Sequence, residues 1–234
     1  MYSNFRWCLL FLLPLLGVIH EASATLQQDS QFQSLAAHYQ HTHHARGERK
    51  VSSDWYLVRQ DNQVATAKGD YAEVWQRDDR GELSLTRIYH QDRKVIQYTT
   101  GELRTQGRLK NWEVLNQVFD PGTKGTLKKS GHTTFMGRKA VRYQGKIGGE
   151  MVKVIWLEKE AIVARLERSG KGYTDTLEIK ALREKPLATW TSVDLEKVGD
   201  YAYLDGADLG DMEYDPFVQR VLNSDGHHHS DHDH

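Results

Sequence analysis

The sequence predicts an α+β fold with one strongly curved antiparallel β-sheet, an unclosed barrel with an N-terminal helix and an inserted helix against its open side. Two observations lead to this prediction. Segments with strand character follow Val51 at intervals of about ten residues, and Gly, Asp or Asn separates them. Apolar residues fall at helical spacing in two other places, before His41 and within Asn111–Phe119.

The first 24 residues have the pattern of a secretory signal peptide. Arg6 precedes an apolar run from Cys8 to Ile19, and Ala22-Ser23-Ala24 offers a small-residue cleavage site. We therefore expect a mature chain from Thr25 that is periplasmic or secreted. It should have no transmembrane segment, because the apolar run is too short to cross a hydrocarbon layer of roughly 30 Å. Cleavage also removes the only cysteine, so no disulfide is expected.

A single domain is expected at residues 25–222, followed by a disordered tail rich in His and Asp at residues 223–234. No repeat or linker divides the chain, and a domain of this size buries roughly 70% of its unfolded surface. The formal net charge is −1, with basic residues scattered among acidic ones, which argues against a nucleic-acid partner.

The N-terminal helix is expected to start at Ser30 or Ser34 and to end near Gln40, with Phe32 and Leu35 on one side. Five strands should follow it: Asp54–Gln60, Gln63–Ala67, Asp70–Arg77, Glu82–His90 and Lys94–Thr99. The inserted helix, Asn111–Phe119, should end at Asp120-Pro121-Gly122, and a basic loop is expected after it.

The segment Arg138–Glu167 predicts a β-hairpin. Gly148-Gly149 divides it, and a Gly-Gly pair accepts the positive φ angles of a two-residue turn. Pairing Ile147 with Glu150 sets the register. The same register places Gly145 opposite Val152, Tyr143 opposite Val154 and Val141 opposite Trp156. Further strands at Ala161–Arg168 and Tyr173–Leu182 would continue an antiparallel meander.

Three short motifs accompany this order of elements: Arg142-Tyr143-x-Gly145, Val154-Ile155-Trp156-Leu157 and Ala164-Arg165-Leu166-Glu167. Over Gln31–Leu182 the chain resembles the periplasmic lipoprotein-carrier superfamily of the LolA/LolB type. The resemblance implies an unclosed barrel whose concave apolar side is lidded by helices and takes up acyl chains. The chain departs from the family at Ile162-Val163-Ala164, where such carriers often have a proline.

The resemblance also implies a ligand cavity and an arginine that latches the lid. The aromatic residues expected at the cavity are Trp55, Trp75, Trp112, Tyr143 and Trp156, which are ordinary core residues in the alternative interpretation. Arg87 and Arg142 both qualify as the latch.

Histidines and aspartates concentrate at the C-terminus, where five His and two Asp occupy eight residues. Imidazole is a favoured ligand of zinc, nickel and copper, and carboxylates can complete the shell. The predicted metal ligands are His227, His228, His229, Asp231, His232, Asp233 and His234. A purification tag and a solvated tail without a role are the alternatives.

A second histidine cluster lies near the N-terminus. His38, His41 and His44 are spaced three apart, which on a helix would keep neighbours within reach of one metal ion. The alternative is a set of surface histidines beyond the end of the helix. The acidic segment Asp205–Asp215 fails the calcium-loop pattern, and we interpret it as an aspartate-rich turn region.

These patterns favour an exported, non-enzymatic binding protein that captures or buffers a divalent metal, foremost zinc, through histidine-rich segments on a LolA-like scaffold. The alternative is a periplasmic carrier of lipid or lipoprotein acyl chains in the concave apolar face. An enzyme is not expected, because the common nucleophile, metalloprotease and phosphate-loop motifs are missing from the sequence. His90 and His132, the two histidines within the body of the domain, are interpreted as strand-end residues.

Overall fold

The computed structural model describes residues 32–227. Within them the chain forms one sheet of twelve strands, with four α-helices and two short 3-10 helices. The strands are β1 (Leu35–Ala45), β2 (Val51–Gln60), β3 (Gln63–Lys68), β4 (Tyr71–Arg77), β5 (Leu83–Tyr89), β6 (Lys94–Tyr98), β7 (Lys128–Phe135), β8 (Arg138–Ile147), β9 (Glu150–Leu157), β10 (Ile162–Ser169), β11 (Tyr173–Arg183) and β12 (Ala202–Asp205). The helices are α1 (Thr100–Thr105), α2 (Trp112–Gln117), α3 (Pro121–Thr126) and α4 (Pro216–His227), and the 3-10 helices are Leu195–Val198 and Ala207–Gly210.

The strand order is β12-β6-β5-β4-β3-β2-β1-β11-β10-β9-β8-β7. Every neighbouring pair is antiparallel except β12 and β6, which run parallel. Strands β7 and β12 lie at the two ends of the described sheet, which is therefore not closed. The predicted α+β class with an open, curved, mainly antiparallel sheet is confirmed.

The predicted hairpin is confirmed in its register. Gly148 and Gly149 both have positive φ, and Ile147 pairs with Glu150 across the turn they form. Tyr143 pairs with Val154 and Val141 with Trp156, as alternation from the turn requires. The five predicted strands before α1 are also present, each within a few residues of its predicted ends.

The predicted N-terminal helix is wrong, because Leu35–Ala45 is strand β1. This strand lies at the centre of the sheet between β2 and β11, and apolar residues cover both of its faces. Leu35, Ala36 and Ala37 are consecutive and all buried, so the strand shows no alternation of apolar and polar residues. In the sequence, this run of apolar residues has the same pattern as the apolar side of a helix.

Other elements also differ from the prediction. The basic loop after the inserted helix contains strand β7, and helices α1, α3 and α4 were not predicted. Asp120, predicted to end the inserted helix, also caps α3, because its carboxylate accepts a hydrogen bond from the Thr123 backbone N–H. Pro121 lies in the first turn of α3. Helix α4 ends at His227.

Helices and an irregular segment cover opposite faces of the sheet. On one face, Leu103 of α1, Trp112 of α2 and Phe217 of α4 pack in a cluster with Trp75 and Leu85. We call α1, α2 and α4 the helical cover. On the other face, the segment 190–201 packs on the β1–β6 half of the sheet. The candidate ligand site lies on the face beneath the helical cover.

Candidate ligand site beneath the helical cover

Strand geometry separates the N-terminal histidines. Residues three apart on a strand point to opposite faces, so β1 cannot bring His38, His41 and His44 to one ion. His38 Nε2 lies 2.7 Å from Asp54 Oδ1 on one side. His43 Nδ1 lies 2.8 Å, and His41 Nε2 3.5 Å, from Asp175 Oδ1 on the other. Among residues 32–227, no group of three or more His, Cys, Asp or Glu is arranged to hold a metal ion.

The C-terminal ligands remain a prediction. His227 is the last residue of α4, and His228, His229, Asp231, His232, Asp233 and His234 lie outside the described residues. The signal peptide also lies outside them. Within residues 32–227, no helix is both long enough and apolar enough to cross a membrane.

The five predicted cavity aromatics belong to three apolar clusters. Trp75 is buried beneath α1 and α4, and Trp55 packs at the centre of the sheet. Trp112 of α2 contacts both of these clusters. Tyr143 and Trp156 pack in a third cluster, beside the residues that flank α3. The structure therefore does not bring the five side chains to one common cavity, and Trp112 is the aromatic that connects two of the clusters.

Arg59 is a functional candidate that the sequence analysis missed. Arg59 lies on β2 and is fully buried. Within the described part of the chain, no carboxylate forms a direct ion pair with it. Its guanidinium instead donates to backbone carbonyls of Gln33 at 2.8 Å, Asn116 at 2.8 Å and Glu160 at 2.6 Å. Burial lowers the pKa of Arg59 to about 10, so it is still charged at neutral pH.

These bonds connect three separate parts of the molecule. Asn116 belongs to α2, Glu160 to the turn between β9 and β10, and Gln33 to the segment before β1. A buried charge that donates to several carbonyls makes strong hydrogen bonds but stays expensive to desolvate. Arg59 therefore fixes the end of α2 on the sheet through polar contacts.

Arg87, one of the two predicted latch residues, holds α4. Its Nη1 donates to Asp225 Oδ1 at 2.7 Å and to Oδ2 at 3.0 Å, and Arg108 Nη1 donates to the same carboxylate at 3.0 Å. Arg142, the other candidate, is exposed and makes only a 3.4 Å bond to the His132 carbonyl. Of these two arginines, Arg87 is therefore the one that contacts a helix of the helical cover.

Glu73 completes the charge network under α4. Its carboxylate lies 3.2 Å from Arg87 Nε and 3.7 Å from Lys110 Nζ. Burial alone would raise the pKa of Glu73, but Lys110 and Arg87, with hydrogen bonds from Tyr71 and Trp75, hold it below its usual value. Glu73 is therefore ionised at neutral pH. Burial would lower the pKa of Arg87, but the surrounding acidic groups raise it above its usual value.

The acidic segment before α4 serves as the predicted turn region. Asp215 accepts a hydrogen bond from the Phe217 N–H at 2.7 Å and caps the start of α4. Lys94 Nζ lies 3.1 Å from the same carboxylate. His90, at the end of β5, is not available as a base, because both of its ring nitrogens are engaged, with the Tyr201 hydroxyl and the Ser192 carbonyl.

Of the surface pockets of the described residues, two are large enough to hold a ligand, and none of the five predicted aromatics lines either of them. One, of about 390 Å³, lies between Tyr98, the residues after α1, the 3-10 helix Ala207–Gly210 and α4. The other, of about 520 Å³, is lined mainly by polar residues, among them Gln33, Asp61 and Glu184.

No protein-family model and no curated protein matches the chain. Solved structures that match include PNGF-II, with 10% identity and a TM-score of 0.42 over 78% of this chain; the match spans 33% of PNGF-II. An outer membrane lipoprotein-sorting protein domain from Vibrio parahaemolyticus matches with 8% identity and a TM-score of 0.32, covering 74% of this chain and 92% of the domain. A LolA-superfamily protein from Nitrosomonas europaea matches with 8% identity and a TM-score of 0.29, covering 67% of this chain and 88% of that protein. LolA-superfamily proteins are thus among the solved structures to which this chain is remotely similar, as the sequence resemblance predicts.

Proposed function

We propose that this chain is an exported carrier that binds the acyl chain of a lipid or lipoprotein on the sheet face beneath the helical cover. The observation that supports this proposal is the contrast between an apolar sheet face and the polar contacts that fix the helices over it. Trp75, Leu85 and Ile96 supply buried apolar surface there. Arg59 and Arg87 hold the helices.

The length of the helices supports a cover that can open. Helices α1 and α2 have six residues each, too few to be stable without the contacts that position them. Exchanging the polar contacts at their ends for water costs less than exposing apolar surface does. An acyl chain could replace the packing of Leu103, Trp112 and Phe217 on the sheet, so the apolar surface would stay out of water while the ligand is bound.

Native mass spectrometry of the chain from Thr25 onward, delipidated and then incubated with palmitate, tests the proposal. We expect one palmitate per protein. Asp225→Asn removes the carboxylate that Arg87 and Arg108 share, and we expect it to raise the rate of palmitate uptake in stopped-flow measurements. Asp200→Asn, at the exposed Arg93–Asp200 pair, is the matched control and should leave the rate unchanged. Failure of both the unmodified chain and Asp225→Asn to retain palmitate would overturn the proposal.

Zinc capture by the C-terminal tail is a second proposed function. It is supported by the density of ligands in the sequence, with five His and two Asp among residues 227–234. Neutral imidazole is needed for binding, so zinc affinity should fall as the pH drops below about 6.5.

A further inference from the structure

The pocket between α4 and the 3-10 helix Ala207–Gly210 has a composition suited to an amphiphile; we call it the α4 pocket. Its volume is about 390 Å³. Leu209 and Leu222 supply apolar wall, and Arg108 and Asp225 supply charge. Leu222 is exposed. The pocket therefore combines apolar and charged groups beside α4.

The α4 pocket lies beside a network of charged side chains. Three cations, Arg87, Arg108 and Lys110, form one connected network with two carboxylates, Glu73 and Asp225. The low pKa of Glu73 keeps that carboxylate charged at neutral pH. The network therefore holds three positive and two negative groups, and the aspartates Asp205, Asp208 and Asp211 flank the pocket residues of the 3-10 segment.

Arg108 is the cation of this network that lines the pocket, and only 16% of its side chain is exposed. Its hydrogen bonds to Gln106 and Asp225 both use Nη1. Within the described part of the chain, Nε and Nη2 have no hydrogen-bond partner. These N–H groups can donate to an anionic oxygen, in the forked arrangement that suits a carboxylate or a phosphate.

Tyr98 and Gly206 form the inner wall of the pocket. Tyr98 lies beneath Arg108, whose guanidinium carbon is 4.9 Å from the ring centroid. A Cβ atom at Gly206 would lie 2.4 Å from the Tyr98 ring, so glycine is needed for the 3-10 segment to approach this closely. The hydroxyl of Tyr98 is buried without a hydrogen-bond partner among residues 32–227. The inner wall is thus aromatic, and Arg108 and Asp225 are the charged residues of the pocket.

We propose that the α4 pocket binds the anionic headgroup of a single-chain amphiphile, with Arg108 as the group that recognises the carboxylate or phosphate. The first carbons of the chain lie on Leu209 and Leu222, and the rest continues toward the apolar face under α4. This inference rests on the proposed function, because it assigns the headgroup class of the ligand carried there.

Isothermal titration calorimetry with dodecanoate, dodecyl phosphate and the neutral dodecanol tests the inference. We expect the unmodified protein to bind the anionic ligands about tenfold more tightly than dodecanol, the effect of roughly one charge-assisted hydrogen bond. The preferred anion identifies the source of the headgroup, a fatty acid or a phosphate monoester. Arg108→Gln should abolish the preference for anions while leaving dodecanol binding intact, and Arg108→Lys should restore part of it.

Two further variants separate a pocket effect from a change in the fold. Gly210 lines the pocket, and a Cβ atom there meets no atom within 4 Å, so Gly210→Leu should fill the pocket without disturbing the contacts of Asp225. It should weaken binding of the anionic ligands about tenfold or more. Arg104→Gln, at an exposed arginine of the same helix region, is the matched control and should change nothing.

The outcomes distinguish this inference from the proposed function. Equal binding of dodecanoate, dodecyl phosphate and dodecanol to the unmodified protein would overturn the headgroup assignment and leave the acyl carrier in place. An anion preference that survives both Arg108→Gln and Gly210→Leu would also overturn the assignment. No binding of any of the three ligands would overturn both.

Discussion

Arg59 on β2 donates a hydrogen bond of 2.8 Å to the backbone carbonyl of Asn116, in the last turn of α2. One buried guanidinium thus fixes the end of a short helix to the sheet. Asn116 is itself fully buried, and its side-chain amide donates to the Trp112 carbonyl one turn earlier. The position of Trp112, which contacts two of the apolar clusters, therefore depends on Arg59.

Arg59→Met should destabilise the protein by about 1–3 kcal/mol, because the buried carbonyl of Asn116 and the part-buried carbonyls of Gln33 and Glu160 would lose their donor. Urea unfolding followed by tryptophan fluorescence measures this change. Arg142→Met, at an exposed arginine, is the control and should cost less than about 0.5 kcal/mol. A loss of stability equal to that of the control would contradict the role of Arg59.

The Arg87–Asp225 pair should show strong coupling in a double-mutant cycle. Only 10% of the Arg87 side chain and 22% of the Asp225 side chain are exposed, so solvent screens the pair weakly. We expect a coupling free energy of about 1.5–3 kcal/mol from the unfolding of Arg87→Gln, Asp225→Asn and the double variant. Arg220 and Asp92 form a more exposed pair that also fixes α4, and their cycle should give less than about 1 kcal/mol. Equal coupling in the two cycles would show that burial does not strengthen the Arg87 contact.

The stability of the network under α4 should depend on pH through Glu73. The folded-state pKa of Glu73 lies below its unfolded value, so its ionised form adds stability that is fully present above about pH 4.3 and is lost as the pH falls through the folded-state pKa. The difference in unfolding free energy between the unmodified protein and Glu73→Gln should therefore be largest near neutral pH and shrink in acid. Denaturation at several pH values measures it. A constant difference would argue against the assignment, and the exposed Glu158→Gln serves as the control.

Zinc binding should depend on the residues after α4. Calorimetry at neutral pH on the chain from Thr25 onward, complete or ending at His227, should show that the shortened protein loses most of its zinc affinity. Alanine substitution of His38, His41 and His44 in the complete chain should have little effect, since β1 holds these residues apart. Similar zinc affinity in the complete and shortened proteins would remove the tail from the mechanism.

Local sequence patterns predicted the strands that have one apolar face and one polar face. The hairpin register followed from Gly148-Gly149 because a two-residue turn leaves a single pairing for every later residue. Strand β1 was misread because its two faces are both covered, so Leu35, Ala36 and Ala37 carry no period of two. The sequence signal for a fully buried strand and for one side of a short helix is the same at this length.

The candidate site depends on contacts that no local pattern contains. Arg87 and Asp225 are 138 residues apart in the chain. Arg59 donates to backbone carbonyls, and since every residue has one, the residue types in the sequence do not reveal its partners. The resemblance to a lidded carrier predicted that an arginine would latch a helix and offered Arg87 as one candidate. It offered no reason to choose Arg59, because nothing in the sequence around β2 distinguishes a buried arginine from an exposed one.

The two ends of the open sheet affect how copies of this protein behave beside one another. Strand β7 has an outer edge whose backbone groups could pair with another strand, and β12, at the opposite end, has only four residues. Lys128 and Lys129 are exposed on β7, and a bulge between Lys129 and Gly131 interrupts its ladder. The lysines and the bulge of β7, and the short length of β12, oppose strand pairing between the sheet edges of two copies. This protein should therefore resist aggregation even at high concentration.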